Sequence, residues 1–207
     1  MKQTIVIATS NPGKFAELSE MLDLEQSVQW KSLSDFDGLV EVEEDGHAFI
    51  ENARKKAIGY AKQTGQWVIA DDSGLMIDAL DGDPGVHSAR FSGAKDADRT
   101  LIDHKNIAKI LELMKDVPTQ KRTARFVCAL CIATPERILL ETQGSLSGVI
   151  IENELGTNGF GYDPIFWVTE KNKTAAQMTS QEKNTVSHRG NALKKLKPLL
   201  REILKKS

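Results

Sequence analysis

The chain has 207 residues, of which 40% are apolar, and 27 basic side chains stand against 29 acidic ones for a formal net charge of −2. That length and composition fit one globular domain, or a domain with a lobe, with enough chain to bury a sizeable core. The near-balance of charge excludes a surface-wide field for nucleic acid or an anionic membrane, and no apolar run approaches the length of a membrane span.

The N-terminus is short, carries Lys2 and runs straight into Thr4-Ile5-Val6-Ile7-Ala8 without a small-residue cleavage site, so the expectation is a cytoplasmic protein whose first element is a central strand. That strand empties into Thr9-Ser10-Asn11-Pro12-Gly13-Lys14. A helix is expected at once: Ser10 or Asn11 can cap it, Pro12 suits its first turn, and Phe15, Leu18, Met21 and Leu22 recur on one face. A strand, a turn and a helix start beside a lysine make a good phosphate or carboxylate site, and equally a capped helix with a solvated lysine. It is not a Walker A loop, because Lys14 precedes Phe15 and only Gly13 is present.

Val28 to Leu33 offers a second strand, followed by an acidic, glycine-bearing segment that ends in Glu41-Val42-Glu43-Glu44-Asp45-Gly46. Its carboxylates can serve the dipole of the next helix, or one or two of them can hold magnesium beside a phosphate. That helix is expected from Phe49 to about Thr64, with Phe49, Ala53, Ala57, Tyr60 and Ala61 facing inward. Trp67-Val68-Ile69-Ala70 then leads into Asp71-Asp72-Ser73-Gly74. Composition alone favours a turn there, with a separate strand over Leu75 to Leu80. If the strand instead continues through both acids, only one of them points into a site and the other is structural.

Gly82 to Gly93 reads as a long loop, and Asp96 or Asp98 as the cap of a helix that ends near Met114 and buries Leu101, Ile107, Ala108 and Leu111. Thr123 to Ala133 and Ile138 to Thr142 flank Thr134-Pro135-Glu136-Arg137 as an antiparallel hairpin, which makes the sheet mixed. Cys128 and Cys131 lie within the first of these strands, on opposite faces and with no second pair to complete a zinc site, so both are expected to be core thiols. Gly156 to Pro164, between strands over Ser147 to Ile151 and Ile165 to Val168, sets glycines around Phe160, either for a flat ligand or as a plain loop with the ring in the core. Thr179-Ser180-Gln181-Glu182 has the form of a capping box. Lys183, His188 and Arg189 then gather cations before a terminal helix over Asn191 to about Lys206, which Pro198 should kink or split.

Phosphate donors, carboxylates, an aromatic beside an acid, and cations together form the equipment of phosphoanhydride hydrolysis. Six stretches, in order, carry a resemblance to a known family: Thr9-Ser10-Asn11-Pro12-Gly13-Lys14, Phe49-Ile50-Glu51-Asn52-Ala53, Ala70-Asp71-Asp72-Ser73-Gly74-Leu75, Pro84-Gly85-Val86-His87-Ser88-Ala89-Arg90, Gly159-Phe160-Gly161-Tyr162-Asp163-Pro164 and Ser187-His188-Arg189-Gly190. Over essentially its whole length the chain resembles the inosine/xanthosine triphosphate pyrophosphatase family. The resemblance implies an α/β fold: a single domain with an elongated mixed β-sheet flanked by helices, in two lobes with a central nucleotide cleft, usually as a homodimer.

It also implies hydrolysis of non-standard purine triphosphates to monophosphate and pyrophosphate with Mg2+. Asp72 is the implied proton acceptor and a metal residue, with Glu43 as metal partner; a one-residue shift to Glu44 stays open. Thr9, Ser10, Asn11, Pro12, Gly13, Lys14 and Ser73 match the triphosphate positions, and Phe160, Gly161, Tyr162, Asp163, Lys183, His188 and Arg189 those that hold the base and the rest of the nucleotide. Cationic donors such as Arg189 or Lys183 suit the oxygen at purine position six of inosine and would be left unpaired by adenine. Rival readings are a sensor that binds without cleaving and a pyrophosphatase for modified pyrimidine nucleotides.

Overall fold

The first apolar run forms β1 (Gln3–Ala8), which pairs in parallel with β2 (Val28–Ser32) and with β3 (Trp67–Ile77). The structure is a computed structural model and describes residues 2–22, 28–95 and 98–205. Ile5, Val6, Ile7 and Ala8 are all buried, the pattern of a parallel strand covered on both faces. β4 (Thr123–Ala133), β5 (Ile138–Ile150), β6 (Phe166–Val168) and β7 (Lys173–Thr174) complete the sheet. Among the described residues the order is β2-β1-β3-β4-β5-β6-β7, and antiparallel pairing of β5 with β6 and of β6 with β7 makes this open seven-stranded sheet mixed. The helices are α1 (Pro12–Met21), α2 (Phe49–Thr64), α3 (Arg99–Met114), α4 (Ser180–Val186) and α5 (His188–Leu204). None of the described helices is long and apolar enough to cross a membrane.

The chain divides into two compact units, and β3, β4 and β5 each contribute residues to both. The first unit comprises Met1–Asp72, Cys128–Gly144 and His188–Ser207. Its core joins Ile5, Ile7 and Ile69 to Leu18 of α1 and Leu22 just beyond it, Leu130 and Ile132 of β4, and Leu193, Leu196 and Leu200 of α5. Gly144 lets α5 come close to β5: a Cβ there would lie 2.3 Å from His188 O and from Ala192 N, so no other residue fits. The second unit comprises Ser73–Val127 and Ser145–Ser187, with Leu75, Ile77, Ile107, Ile110, Met114, Phe126, Ile165 and Phe166 in its core.

Four expectations change. No turn interrupts Asp71-Asp72-Ser73-Gly74; β3 runs through it to Ile77, because Leu75 and Ile77 have a core to enter and burial outweighs the turn preference of Asp, Ser and Gly. The strands expected over Ile138 to Thr142 and Ser147 to Ile151 are one, since Gly144 and Gly148 mark close approaches within β5. α3 is capped by Asp98, as one of two alternatives, but buries Ile107, Ile110 and Met114 with Asn106, while Leu101 and Ala108 are exposed. α5 starts at His188 and is not split at Pro198; Leu193, Leu196 and Leu200, buried on both sides of the proline, hold it in register. Asp96 and Lys206 lie outside the described residues.

Candidate active site

Successive strand residues face opposite ways, so β3 presents its two acids to different surroundings. Asp71 is fully buried within the first unit and surrounded by donors. Lys14 Nζ lies 2.6 Å from its Oδ1, Arg189 Nε donates to Oδ2 at 3.0 Å and Nη2 to Oδ1 at 3.4 Å, and the Cys128 thiol donates to Oδ2 at 3.0 Å. Burial alone would raise the Asp71 pKa, but the charges of Arg189 and Lys14 outweigh it and hold the carboxyl well below its ordinary range. Arg189, also fully buried, bonds Glu17 of α1 through Nη1, and its pKa is raised: burial opposes its charge, but Asp71 and Glu17 prevail. A chain of charges thus ties α1, β3 and α5 together. Burial and the nearby Asp71 push the Cys128 thiol far up, so both it and Cys131, raised to about 12 by burial, are inert core thiols as expected.

Asp72 has a different company. It is 6% exposed, its Oδ2 accepts from Asn52 Nδ2 at 3.0 Å, and its Oδ1 lies 3.9 Å from Lys56 Nζ. Lys56 Nζ also donates to Glu44 Oε2 at 2.8 Å and to the Asp71 backbone carbonyl at 2.6 Å. Burial raises the Asp72 pKa to about 6; Lys56, Lys14 and the Asn52 bond work against the rise, and the negative Glu44 adds to it. A carboxyl poised near neutrality can be ionised in the resting protein and still take a proton from water. Asn52 braces this side, because its Oδ1 accepts the Gly46 N–H at 2.8 Å while its Nδ2 donates to Asp72.

Of the two glutamates, Glu44 is therefore the one whose charge acts on Asp72 and whose carboxylate shares Lys56 with it, while Glu43, expected as the metal partner, is exposed. Among the described residues no group of three or more side chains of metal-ligating type is assembled. Two carboxylates about one ammonium do suit a hard divalent ion, which takes one or two carboxylates and completes its shell with phosphate oxygens and water.

The phosphate turn precedes α1. Asn11 is its cap, accepting from Gly13 N at 2.9 Å and from Lys14 N at 3.1 Å, with Pro12 at the first helical position. Thr9 Oγ1 accepts the Asn11 N–H at 3.1 Å, and Ser10 is exposed. Asn11 thus occupies amides that the sequence offers to phosphate, and the polar groups the turn contributes are the Thr9 and Ser10 hydroxyls and the Lys14 ammonium. His188, buried at the start of α5, also belongs to this unit.

The second unit carries Ser73, half-buried in β3, and the loop from Gly159 to Asp163. Asp163 is 2% exposed; its Oδ2 accepts the Phe160 N–H at 3.0 Å and pairs with Lys183 Nζ at 2.5 Å. The same ammonium stands 4.8 Å from the centre of the Phe160 ring, a cation–π contact. Gly159 has φ +78°, and a Cβ on it would fall 2.0 Å from Asp163 Oδ2, so the glycine is obligatory. The Tyr162 hydroxyl donates to Ser88 O at 2.8 Å, and burial pushes its pKa upward.

The expected residues therefore form two groups, each on its own unit. Lys183 and Arg189, close in sequence, have different partners: Lys183 pairs with Asp163, whereas Arg189 belongs to Asp71 and Glu17. Sequence reasoning missed the placement of Lys56 and Asn52. Both lie on the inner face of α2 beside Ala53 and Ala57, and a lysine on an otherwise apolar stripe was the available signal.

A model described as the Ham1 family matches residues 5–199. The chain is 49% identical to a dITP/XTP pyrophosphatase of Bacillus cereus, over 98% of this chain and 96% of that protein, and 48% identical to one of Bacillus subtilis, over 97% and 98%. Among solved structures, a HAM1 protein from Coxiella burnetii superposes with a TM-score of 0.84 at 40% identity, covering 97% of this chain and 99% of the other. The Ham1 protein of Staphylococcus aureus gives 0.83 at 37% identity with the same coverage.

Proposed function

The chain belongs to the Ham1 family, and we propose that it hydrolyses non-standard purine nucleoside triphosphates such as dITP, ITP and XTP to the monophosphate and pyrophosphate. The observation that carries this reading is Asp72, a buried carboxyl poised at about 6 beside Lys56, Glu44 and Lys14. In the reaction a water oxygen bonds to phosphorus, Asp72 accepts the water proton, the phosphoanhydride P–O bond breaks and pyrophosphate leaves with the bonding electron pair. Lys14 and Lys56 offset the charge that grows on the phosphate oxygens. Asp71, itself held by Arg189, keeps Lys14 in place, and Asn52 orients Asp72. Thr9, Ser10 and Ser73 supply hydroxyls for the phosphates.

A divalent metal, Mg2+ in our reading, fits Asp72 and Glu44, with Glu43 next in the chain; when bound it neutralises triphosphate charge. Phe160 gives the purine a stacking face, and Lys183, steadied by Asp163, a donor for the oxygen at position six. We also propose that the two units form one functional domain, that the protein is cytoplasmic, and that it assembles as a homodimer. The deciding measurement is pyrophosphate release from inosine, xanthosine, guanosine, adenosine and modified pyrimidine triphosphates, with and without Mg2+. Metal-dependent release confined to the inosine and xanthosine forms is expected. Binding without release would make the protein a sensor, and release from modified pyrimidines alone would overturn the substrate class.

A further inference from the structure

Helix α3 fills the core of the second unit with Ile107, Ile110 and Met114, and this packing fixes the direction of its polar side chains. Two of those reach the segments that surround the aromatic loop. Asn106 accepts the Ser92 N–H at 2.7 Å and donates to Ser88 O at 3.3 Å, the same carbonyl that takes the Tyr162 hydroxyl. One turn earlier, Asp103 accepts the Gly161 N–H through Oδ2 at 2.8 Å, while its Oδ1 lies 3.1 Å from Arg99 Nε. The Asp103 side chain is 13% exposed, so this is a sheltered, charge-assisted bond. Gly161 directly follows Phe160, whose own N–H is held by Asp163. Consecutive amides of the loop are thereby fixed by two carboxylates, one within the loop and one from a helix distant in sequence.

We propose that Asp103 is a positioning residue for base recognition, holding the Gly161 amide so that the Phe160 ring and the Lys183 ammonium are set before a purine arrives. The proposal rests on the reading of Phe160 and Lys183 as the base-holding group. A loop already fixed in its bound conformation does not charge its ordering entropy to binding, so losing the anchor weakens affinity for the base while leaving the hydrolytic groups of the first unit in place. A hydrogen bond to a charged group corresponds to roughly a 10- to 100-fold change in affinity.

The test measures KM and kcat for inosine triphosphate with Mg2+, and its dissociation constant in chelator, where binding is read without turnover. Asp103→Ala is expected to raise KM and the dissociation constant roughly tenfold or more, with a much smaller change in kcat. Asp103→Asn keeps a carbonyl oxygen for the Gly161 N–H and should restore most of the affinity, and Arg99→Ala should bind nearly as the wild type does. If Asp103→Ala does not fold, Asp103→Glu keeps the charge but displaces the acceptor, and should weaken binding in a folded protein. A dissociation constant unchanged in Asp103→Ala, or in its substitute Asp103→Glu, overturns the proposal. So does an Asp103→Asn variant as impaired as Asp103→Ala. Absence of pyrophosphate release by the wild type would overturn the hydrolytic function, while the dissociation constants would still decide the role of Asp103.

Discussion

The acid pair of the first unit and the aromatic loop of the second are both built on carboxylates, yet the carboxylates do different work. Asp71 and Asp72 act through charge: one is held ionised by Lys14 and Arg189, the other is kept near neutrality by burial. Asp163 and Asp103 act through geometry, each accepting a backbone N–H of the loop, from Phe160 and Gly161. The acids we propose to serve proton transfer sit where burial and neighbouring charges tune them, and the loop we propose to hold the base is pinned by bonds that fix the main chain. Electrostatic variants should therefore change rate and pH dependence in the first unit, and affinity in the second.

The largest break in that contrast is expected from Asp72→Asn. Pyrophosphate release should fall by about 10²- to 10⁴-fold, the contribution of a general base, while circular dichroism shows a folded chain. Asp71→Ala should act on stability instead, because it leaves Lys14 and Arg189 without their carboxylate; a loss of about 3–5 kcal/mol in urea unfolding is expected for breaking a buried ion pair.

Next in size is pH dependence. As the proton acceptor we propose, Asp72 has to be ionised, so kcat/KM is expected to rise up to tenfold per pH unit below about 6 and level off above it. Lys56→Met, which removes a charge that lowers this pKa, should move the break to higher pH. The two acids also have opposite linkage to stability. The folded state binds the Asp72 proton more tightly than the unfolded chain does, so this group's contribution falls as pH rises from its ordinary value of 3.8 towards 6. The depressed Asp71 contributes stability that is complete above the ordinary carboxylate range and is lost as pH falls through its lower folded value. Urea midpoints at pH 5 and pH 8 should therefore show Asp72→Asn gaining on the wild type at the higher pH.

A smaller effect is expected in the second unit: Lys183→Met should raise KM for inosine triphosphate several-fold and narrow its advantage over adenosine triphosphate, with the pH break unmoved. The smallest belongs to Cys128→Ser, which keeps a donor to Asp71; stability within about 1 kcal/mol of the wild type is expected for exchanging one hydrogen bond for another. A large loss of turnover in that variant would make the thiol a functional group and blur the contrast.

Where local chemistry and packing agree, the sequence is legible. The start of α1 at Pro12, with Asn11 as one of two expected caps, the full extent of α2 and its inner face, and β4 with its buried thiols follow from spacing and residue type. Position within the tertiary core is harder to read. Asp71-Asp72-Ser73-Gly74 has turn composition, and only the core awaiting Leu75 and Ile77 keeps it in a strand. The buried face of α3 is ambiguous in sequence because Leu101 is as apolar as Ile110, and nothing local says which one enters the core that also holds Phe126 and Phe166. In the site, residue types point to acids and cations, but partnership does not follow from proximity in sequence, as Lys183 and Arg189 show.

The segmented make-up of the first unit bears on how the chain reaches its native state. This unit draws on Met1–Asp72, Cys128–Gly144 and His188–Ser207, whereas the second closes with Ser187. During synthesis the second unit can be completed while the first still awaits α5, whose Leu193, Leu196 and Leu200 fill its core. Pairing of such distant segments is slow, because loop closure precedes the contacts that reward it. Arg189 lies in α5, so during synthesis the full set of charges around Asp71 can assemble only once that helix has been made. A nascent chain ending before His188 would carry both aspartates and still lack the guanidinium and the apolar face that hold them in place.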